Sequence, residues 1–268
     1  MPVHDDLGTR MKTFYEQVPK FNLYRRTPVA IRLDGRAFHT FTRDFQEPYD
    51  EVFSNAMIKT MDYLCRSIQG CVFGYTQSDE ITLILVDYQT FETEAFFNYE
   101  VQKLCSISAS MATMAFNKFF EEEVDMWGRR TFADWDDGGT DCPFDEDLFD
   151  ICYAYDRSIK RGATFDSRCF NIPKEEVTNL VYWRQLDAMR NSAQMLGQHY
   201  YSDKELDGVS CEEIKDKVFN DYGVWWQGLR PRFRHGTCWT KELGIDYDMP
   251  ILKGADRDYL DKLIYIGE

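Results

Sequence analysis

The sequence predicts an α+β fold, in which an antiparallel ferredoxin-like sheet is flanked by helices and followed by a helical C-terminal extension. In the first half, strand-length apolar runs and helical stretches follow the order strand, helix, strand, strand, helix. With one further strand, this order is the split βαβ pattern. A polar segment, residues 76–80, separates the two consecutive strands and indicates a hairpin turn. The second half carries longer helical patterns with capping signals.

The elements of the first half follow from apolar spacing. The patterning predicts a helix over 6–17, a strand over 29–34 that ends at Gly35, a helix over 50–67, strands over 71–75 and 81–86, and a long helix from about 93 to about 120. Apolar and small residues recur along the last of these in steps of three and four, as on one face of a helix. Two segments, 151–155 and 167–172, are candidates for the remaining strand.

The second half begins after an acidic segment, residues 134–150, which contains two glycines and a proline and is predicted to be a loop. Helices are expected over 173–199, which opens with a proline, and over 210–220, where Ser210 and Glu213 form a capping-box pattern. Short strands are expected over 237–239 and 245–247. We expect residues 1–135 to form the core, with 136–268 packed on it rather than folding independently.

Composition limits the classes of function. The chain has 268 residues, with 31 Lys and Arg against 46 Asp and Glu, for a net charge of −15. This charge argues against a sequence-blind nucleic-acid binder with a broad basic surface, but it permits a local basic groove or metal-binding carboxylates. No apolar run approaches the ~20 residues of a membrane span, and the first ten residues lack the apolar core of a signal peptide. Eight cysteines without a CxxC pair favour a reduced, cytoplasmic protein.

Three carboxylates are the candidate catalytic groups. Asp34 ends an apolar strand, and Asp79 and Glu80 lie in the predicted hairpin turn. In a ferredoxin-like sheet the first strand lies beside this hairpin, so the three carboxylates can converge. Converging carboxylates repel unless a cation or protons neutralise them, and hard oxygen ligands favour Mg²⁺. Two such ions would clamp the attacking and leaving oxygens of a phosphoryl displacement. The alternative is that these residues are ordinary turn formers.

The residues after Asp34 extend this hypothesis. Gly35 permits close approach of the backbone to a ligand, and Arg36 and His39 are positioned to contact phosphates. Phe38 has two interpretations: its ring stacks on a base, or it belongs to the core.

Two motifs at this spacing carry a family resemblance. Residues 31–42 (IRLDGRAFHTFT) and 74–85 (GYTQSDEITLIL) resemble the tRNA(His) guanylyltransferase family of 3′→5′ nucleotide-adding enzymes. Weaker matches follow in order at 165–168 (FDSR), 183–191 (WRQLDAMRN) and 233–237 (FRHGT), so the resemblance covers most of residues 5–240. Ser167 stands where the family has glycine. The resemblance implies a polymerase-palm fold whose chemistry runs in the reverse direction.

The resemblance also implies roles for individual residues. Asp34 and Asp79 would bind two Mg²⁺ ions through their carboxylates, with the Gly35 carbonyl completing one ion, and Glu80 would support the catalytic site. GTP and ATP are the implied substrates. The residues implied to contact the nucleotide are Asp34, Gly35, Arg36, Ala37, Phe38, His39, Ser78 and Asp79, and Lys103 on the long helix is a further candidate for the triphosphate.

One departure from the family pattern points to a subgroup. Eukaryotic members follow Trp-Arg-Gln with His-Ile-Asn-Asn-Leu-Tyr-Asn, and only Asn191 is kept in residues 189–195. The chain is therefore more similar to the guanylyltransferase-like proteins of bacteria and archaea, for which the resemblance implies templated 3′→5′ addition in tRNA 5′-end repair. Addition of G−1 specifically to tRNA(His) is the alternative. A palm-fold nucleotide cyclase and a non-catalytic RNA-binding module are lesser alternatives, because a cyclase turn motif and an aromatic RNA-binding strand are missing from the sequence.

Small basic groups are the candidates for RNA contact. Their functional interpretation is phosphate binding, with nearby aromatic rings stacking on unpaired bases, and the alternative is solvated surface, core or a subunit interface. The residues assigned to RNA are Arg184, Asn191, Arg232, Arg234 and His235. The resemblance further implies tRNA 5′ ends as the macromolecular substrate and a homotetrameric assembly.

Overall fold

The computed structural model describes residues 6–133 and 146–266, and its centre is one six-stranded antiparallel sheet. The strand order across the sheet is β4-β1-β3-β2-β5-β6. The strands are β1 (Val29–Gly35), β2 (Cys71–Gln77), β3 (Glu80–Leu85), β4 (Phe165–Asn171), β5 (Thr237–Thr240) and β6 (Gly244–Asp246). The first four have the order and antiparallel pairing of a ferredoxin-like sheet, so the predicted fold class is confirmed.

Helices precede β1, connect β1 to β2 and β3 to β4, and make up much of the C-terminal half. They are α1 (Asp6–Met11), α2 (Phe38–Phe41), α3 (Glu51–Ser67), α4 (Val101–Thr131), α5 (Glu146–Arg161), α6 (Lys174–Tyr200), α7 (Asp203–Leu206), α8 (Cys211–Tyr222), α9 (Pro231–Arg234) and α10 (Asp258–Ile264). A π-helical segment, Lys12–Glu16, continues α1, so the predicted helix over 6–17 is present in two parts. No helix in the described ranges is long and apolar enough to cross a membrane.

Alternation along the strands gives the sheet two apolar faces. Ile31 and Leu33 of β1 point to the face covered by α3 and α4, where they join a large aromatic and aliphatic core. Ala30 of β1 and Ile84 of β3 point to the opposite face, which α6 and α10 cover. Successive strand residues point to opposite faces, so burial on both sides explains the nearly continuous apolar sequence of these strands. The candidate carboxylates interrupt this apolar sequence near the strand ends.

Several boundaries differ from the sequence-based expectations. Strand β4 confirms the candidate at 167–172, whereas the alternative at 151–155 is wrong because it lies within helix α5. The long helix α4 begins at Val101, not near 93, because residues 97–99 have positive φ angles that interrupt the helix. The acidic loop expected over 134–150 is wrong for its last five residues, because α5 begins at Glu146; residues 134–145 are outside the described ranges.

The C-terminal half follows its predicted pattern closely. Pro173 immediately precedes α6, and Ser210 and Glu213 form the expected capping box at the start of α8. Strands β5 and β6 continue the sheet beyond β2, and β4 closes its other side. The proposed division near residue 135 stays a prediction, although both halves contribute strands to one sheet.

Candidate active site at the carboxylate end of the sheet

Two aspartates meet at one end of the sheet. Asp34 is the penultimate residue of β1 and lies opposite Glu80 in the β1–β3 register. The β2–β3 turn consists of Ser78 and Asp79, and Ser78 has φ 48°, as the tight two-residue hairpin turns require. The Gly35 amide donates to the Asp79 carbonyl at 3.1 Å, which fixes the turn beside the end of β1. We call Asp34 and Asp79 the carboxylate pair.

The carboxylate pair is electrostatically unsatisfied. Burial raises the pKa of Asp79 to about 6; a hydrogen bond from its own amide opposes the shift, and the charge of Asp34 adds to it. Burial also raises the pKa of Asp34, with further increases from the charges of Glu80 and Asp166. A raised pKa means that the ionised form is destabilised where it lies, so a cation between the two groups would be favoured.

Glu80, although adjacent to Asp79, has its charge compensated by ion pairs. Its side chain is 8% exposed and is ion-paired with two arginines, Arg32 of β1 and Arg184 of α6. Arg184 Nη2 lies 2.8 Å from Glu80 Oε2 and also donates to Asp187 Oδ2 at 2.7 Å. We call Arg32, Glu80, Arg184 and Asp187 the arginine cluster. Because two positive charges offset the Glu80 carboxylate, this group supports the site and presents no unpaired oxygen charge to a ligand.

The donor set of the carboxylate pair fits a hard divalent cation. Mg²⁺ is usually held by one or two protein carboxylates and completes its shell with water and substrate phosphates. Asp34 and Asp79 supply two carboxylates and Gly35 a main-chain carbonyl. Within residues 6–133 and 146–266, no cluster of three or more His, Cys, Asp or Glu side chains forms a fuller ligand set. Asp34, Asp79 and the Gly35 carbonyl are therefore the groups that would hold such an ion.

The segment after Asp34 presents backbone and polar groups outward. Arg36, Ala37 and His39 are exposed, Ala37 has φ 55°, and the Arg36 amide donates to the Thr164 carbonyl at 2.9 Å. Phe38 is only 4% exposed and packs among aromatic rings of the α3–α4 core, so the base-stacking interpretation is wrong and the core interpretation is confirmed. Any contact of Phe38 with a nucleotide would be through its backbone.

Lys103 remains available on the surface. It lies in the first turn of α4, is exposed, and makes a long ion pair of 3.9 Å with Glu100 and a cation–π contact with Phe97. Exposed ion pairs of this kind contribute little free energy, so a triphosphate can recruit the ammonium group at small cost.

The structure separates the five residues predicted to bind RNA. Arg184 and His235 are buried: Arg184 belongs to the arginine cluster, and His235 Nε2 lies 3.0 Å from the Met249 carbonyl oxygen. Direct phosphate contact by either side chain is therefore contradicted, because both are enclosed by protein. Asn191, Arg232 and Arg234 instead line a cavity.

That cavity has a volume of about 110 Å³ and opens beside Ser78, next to the carboxylate pair. Its walls come from α3, α6, the end of β2 and residues 232–237. Apolar groups such as Phe53, Met57 and Met195 face the polar side chain of Asn191. Within the described part of the chain, two buried polar atoms of the lining, Thr237 Oγ1 and Arg232 Nε, have no hydrogen-bond partner. Because unpaired buried polar atoms are costly, a polar ligand is the expected partner of such a site.

Sequence reasoning missed the arginine cluster as a unit. Arg32 carries a detectable signal, because it is the charged residue inside an otherwise apolar strand and shares a sheet face with Asp34 two residues later. The pairing of Glu80 with Arg184, and the role of Asp187, depend on how α6 crosses the sheet. No local pattern indicates that crossing.

A palm-like sheet with an acidic pair at the β1 end and the β2–β3 turn is typical of nucleotide-transferring enzymes. A family model described as Thg1: tRNAHis guanylyltransferase matches residues 8–173, more than half of the chain. The chain belongs to this family and is a guanylyltransferase-like nucleotidyltransferase of tRNA processing.

Two solved structures agree with this assignment, and the chain is also similar to an uncharacterized viral protein. A bacterial tRNA(His) guanylyltransferase (Thg1)-like protein in complex with ATP is 32% identical, with a TM-score of 0.79 over 97% of this chain and 100% of that one. Another such structure, in complex with GTP, is 30% identical, with a TM-score of 0.73 over 98% and 100%. An uncharacterized protein of Acanthamoeba polyphaga mimivirus is 28% identical over 255 residues, which are 90% of this chain and 79% of that protein.

Proposed function

We propose that this protein adds GTP or other nucleoside triphosphates in the 3′→5′ direction to the 5′ ends of tRNA, in a templated reaction that repairs truncated ends. The observation that carries the proposal is the carboxylate pair beside a cavity with unpaired polar atoms. The complexes of the bacterial relatives with ATP and GTP support nucleotides as ligands of this protein.

The proposed chemistry joins the 3′-hydroxyl oxygen of an incoming nucleotide to the 5′ phosphorus of the RNA. The bond from that phosphorus to the leaving group breaks. The leaving group is AMP when ATP has activated a 5′-monophosphate, and it is pyrophosphate when the RNA carries a 5′-triphosphate. The hydroxyl proton leaves to solvent. Asp34, Asp79 and the Gly35 carbonyl would hold two Mg²⁺ ions, which supply charge stabilisation for the reacting oxygens. Catalysis of this kind depends mainly on positioning, with little covalent work for the protein.

The remaining residues of the site orient the triphosphate and the RNA. Backbone groups of residues 34–39 and 78–79 approach the phosphates, and Arg36, His39 and Lys103 supply positive or hydrogen-bonding groups that are free to move toward them. Asn191, Arg232 and Arg234 line the cavity and would contact a nucleotide unit of the RNA or of the incoming triphosphate. Glu80 acts by holding the turn and not by touching substrate.

The assembly is proposed to be a homotetramer. Large apolar side chains are exposed along the N-terminal segment, a composition typical of surfaces that are covered by another chain. They include Met11, Phe14, Tyr15, Val18, Phe21 and Tyr24. Light scattering of the purified protein distinguishes a tetramer from a dimer or monomer.

Templated repair is tested with a tRNA lacking its first 5′ nucleotide, offered with labelled GTP and Mg²⁺. One substrate carries C opposite the missing position and a matched one carries A. We expect a product one nucleotide longer with C and at least about tenfold less with A, because a lost base pair removes about 1–2 kcal/mol of stacking.

The Asp34→Ala variant is the negative control, and full-length tRNA(His) is the competing substrate. Equal extension opposite C and A, together with preference for tRNA(His), would indicate G−1 addition instead. Absence of incorporation with every RNA substrate, while GTP still binds, would overturn the proposal.

A further inference from the structure

We propose that Arg184 is a positioning residue for the reaction: it anchors the Ser78-Asp79 turn to helix α6 through Glu80 and so fixes Asp79 relative to the cavity wall. The inference deepens the proposed function and rests on it for its kinetic consequence. Its structural consequence is measurable without any turnover.

The first step of the argument is geometric. Glu80 is the first residue of β3 and is bonded on both carboxylate oxygens. Arg32 Nε donates to Oε1 at 2.8 Å, while Arg184 Nη2 at 2.8 Å and Gln77 Nε2 at 3.3 Å approach Oε2. The carboxylate therefore joins β1, β2, β3 and α6 at one point. Since Asp79 directly precedes Glu80, this point is one residue away from the carboxylate pair.

The second step is the charge of the arginine cluster. The four members of the cluster carry two positive and two negative charges, and the exposed Arg190 also pairs with Asp187. The side chains of Arg184 and Glu80 are each 8% exposed. In such a setting a guanidinium interacts more strongly than at the surface, and one nitrogen of Arg184, Nη2, reaches both carboxylates. The cluster thus holds geometry without supplying charge to the ligand site.

The third step concerns the helix that carries Arg184. Asn191 lies seven residues further along α6, two turns on the same face, and lines the cavity with Ala188 and Met195. One side chain therefore sets the separation between the cavity wall and the turn that carries Asp79. A displacement of about 1 Å between reacting groups can lower a rate by about 10²-fold, which makes this separation a sensitive quantity.

The exposed ring of Trp183 completes the anchor. Its centroid lies 4.3 Å from Arg184 Cζ and 5.3 Å from Arg32 Cζ, so it contacts both guanidinium groups. Arg184 Nε has no hydrogen-bond partner among the described residues, and the carboxylate contacts of this side chain are made by Nη2. Lysine at this position would keep the positive charge and lose the planar contact with the ring.

The test compares Arg184→Met and Arg184→Lys with the control Arg66→Met. Arg66 also bonds a carboxylate, Asp62 at 2.8 Å, but on the exposed side of α3. Hydrogen–deuterium exchange of the full-length protein, without nucleotide or metal, is followed by mass spectrometry for peptides covering residues 31–36 and 77–83. We expect exchange there to accelerate at least about tenfold in Arg184→Met, less in Arg184→Lys, and not in the control.

The kinetic readout is the separation of kcat from KM. We expect kcat for nucleotide addition to fall about 10–100-fold in Arg184→Met, the range found for residues that orient metal ligands, with KM for GTP changed less than about threefold. Arg184→Lys should recover part of kcat. A residue that contacted RNA directly would instead raise KM for tRNA.

Three outcomes overturn the inference. They are unchanged exchange of the turn peptides in Arg184→Met, a loss of kcat in Arg184→Lys equal to that in Arg184→Met, or a rise in KM for tRNA with constant kcat. If Arg184→Met does not fold, the double variant Glu80→Gln/Arg184→Met removes the unpaired buried charge and carries the same exchange test. If the parent protein adds no nucleotide but the turn still loosens, the proposed function fails and the anchor stands.

Discussion

Asp79 and Glu80 are neighbours in the chain, yet the two regions to which they belong treat negative charge in opposite ways. In the arginine cluster, Glu80 is buried and compensated by two guanidinium groups. In the carboxylate pair, burial and the charge of Asp34 raise the pKa of Asp79 to about 6. Proximity in sequence therefore does not define equivalent roles.

The difference shows how an acidic protein can leave some carboxylates available to cations while arginines neutralise others. The net charge of −15 would attract cations to much of its surface. Where arginines approach a carboxylate, the attraction is cancelled and the group serves structure. Where none bonds to it, as at Asp34 and Asp79 in the described structure, ionisation is unfavourable until a cation arrives. The following three predictions challenge this contrast.

The largest expected effect is on activity. Asp79→Asn keeps the size of the side chain and removes the charge, so nucleotide addition should fall at least about a hundredfold, since metal clamping contributes several kcal/mol to the transition state. Glu80→Gln can still accept from Arg32, and we expect a loss of only about tenfold. Single-turnover rates at saturating GTP and Mg²⁺ measure both. Equal losses would erase the distinction between the two regions.

The second prediction concerns stability, where the two acids should act with opposite sign. Glu80→Ala leaves the largely buried Arg32 without its carboxylate partner and Arg184 with Asp187 alone, and should lower the free energy of unfolding by about 3 kcal/mol. Asp79→Asn should raise it by about 1–2 kcal/mol at pH 8, because the raised pKa makes the ionised native carboxyl unfavourable. The stabilising contribution of the Asp79 carboxyl is present below its ordinary pKa of 3.8 and is lost as the pH rises through about 6.

Urea unfolding in EDTA measures these changes. Glu122→Gln, at an exposed pair with Lys118, is the matched control and should change stability by less than about 0.5 kcal/mol. A stability loss in Asp79→Asn would contradict the assignment of unsatisfied charge to the carboxylate pair.

The smallest expected effect is on the pH dependence of cation binding. Protons compete with the metal for Asp79, so the Mn²⁺ dissociation constant of the nucleotide-free protein should be nearly constant above pH 7. It should rise up to about tenfold per unit as the pH falls below 6. Calorimetry at pH 7.5, 6.0 and 5.5 measures this. In Asp79→Asn the affinity should be lower and its pH dependence shallower, whereas a flat parent profile would show that Asp79 does not titrate with the cation.

Much of this site could be predicted from local sequence. The end of β1 at Asp34-Gly35 and the turn at Ser78-Asp79 both follow from apolar runs interrupted by turn residues, and antiparallel pairing then brings them together. The family resemblance indicates Asn191, and a basic group indicates Arg232 and Arg234; these residues line one cavity, and their contact with RNA stays a prediction.

The rest depended on tertiary contacts. Phe38 has the same local sequence whether its ring faces a ligand or the core, and the rings packed around it, including Phe116 and Phe165, come from distant segments. Likewise, Arg184 resembles a surface arginine on a helix until α6 is laid across the sheet above Glu80. Helix α5 was not predicted. Its first residues are acidic, and its apolar segment 151–155 is short, so the spacing of apolar residues alone could not distinguish a strand from a helix.

The ring of Phe38 also closes over Gly35: a β-carbon added to that glycine would lie 2.3 Å from the ring. Gly35, whose carbonyl is proposed to join the ion, therefore lies directly against the aromatic core. Replacing the buried Phe116 by a smaller residue should therefore lower the affinity for the ion, even in a variant that remains folded. Packing of the aromatic core would therefore set the position of the proposed ion ligand.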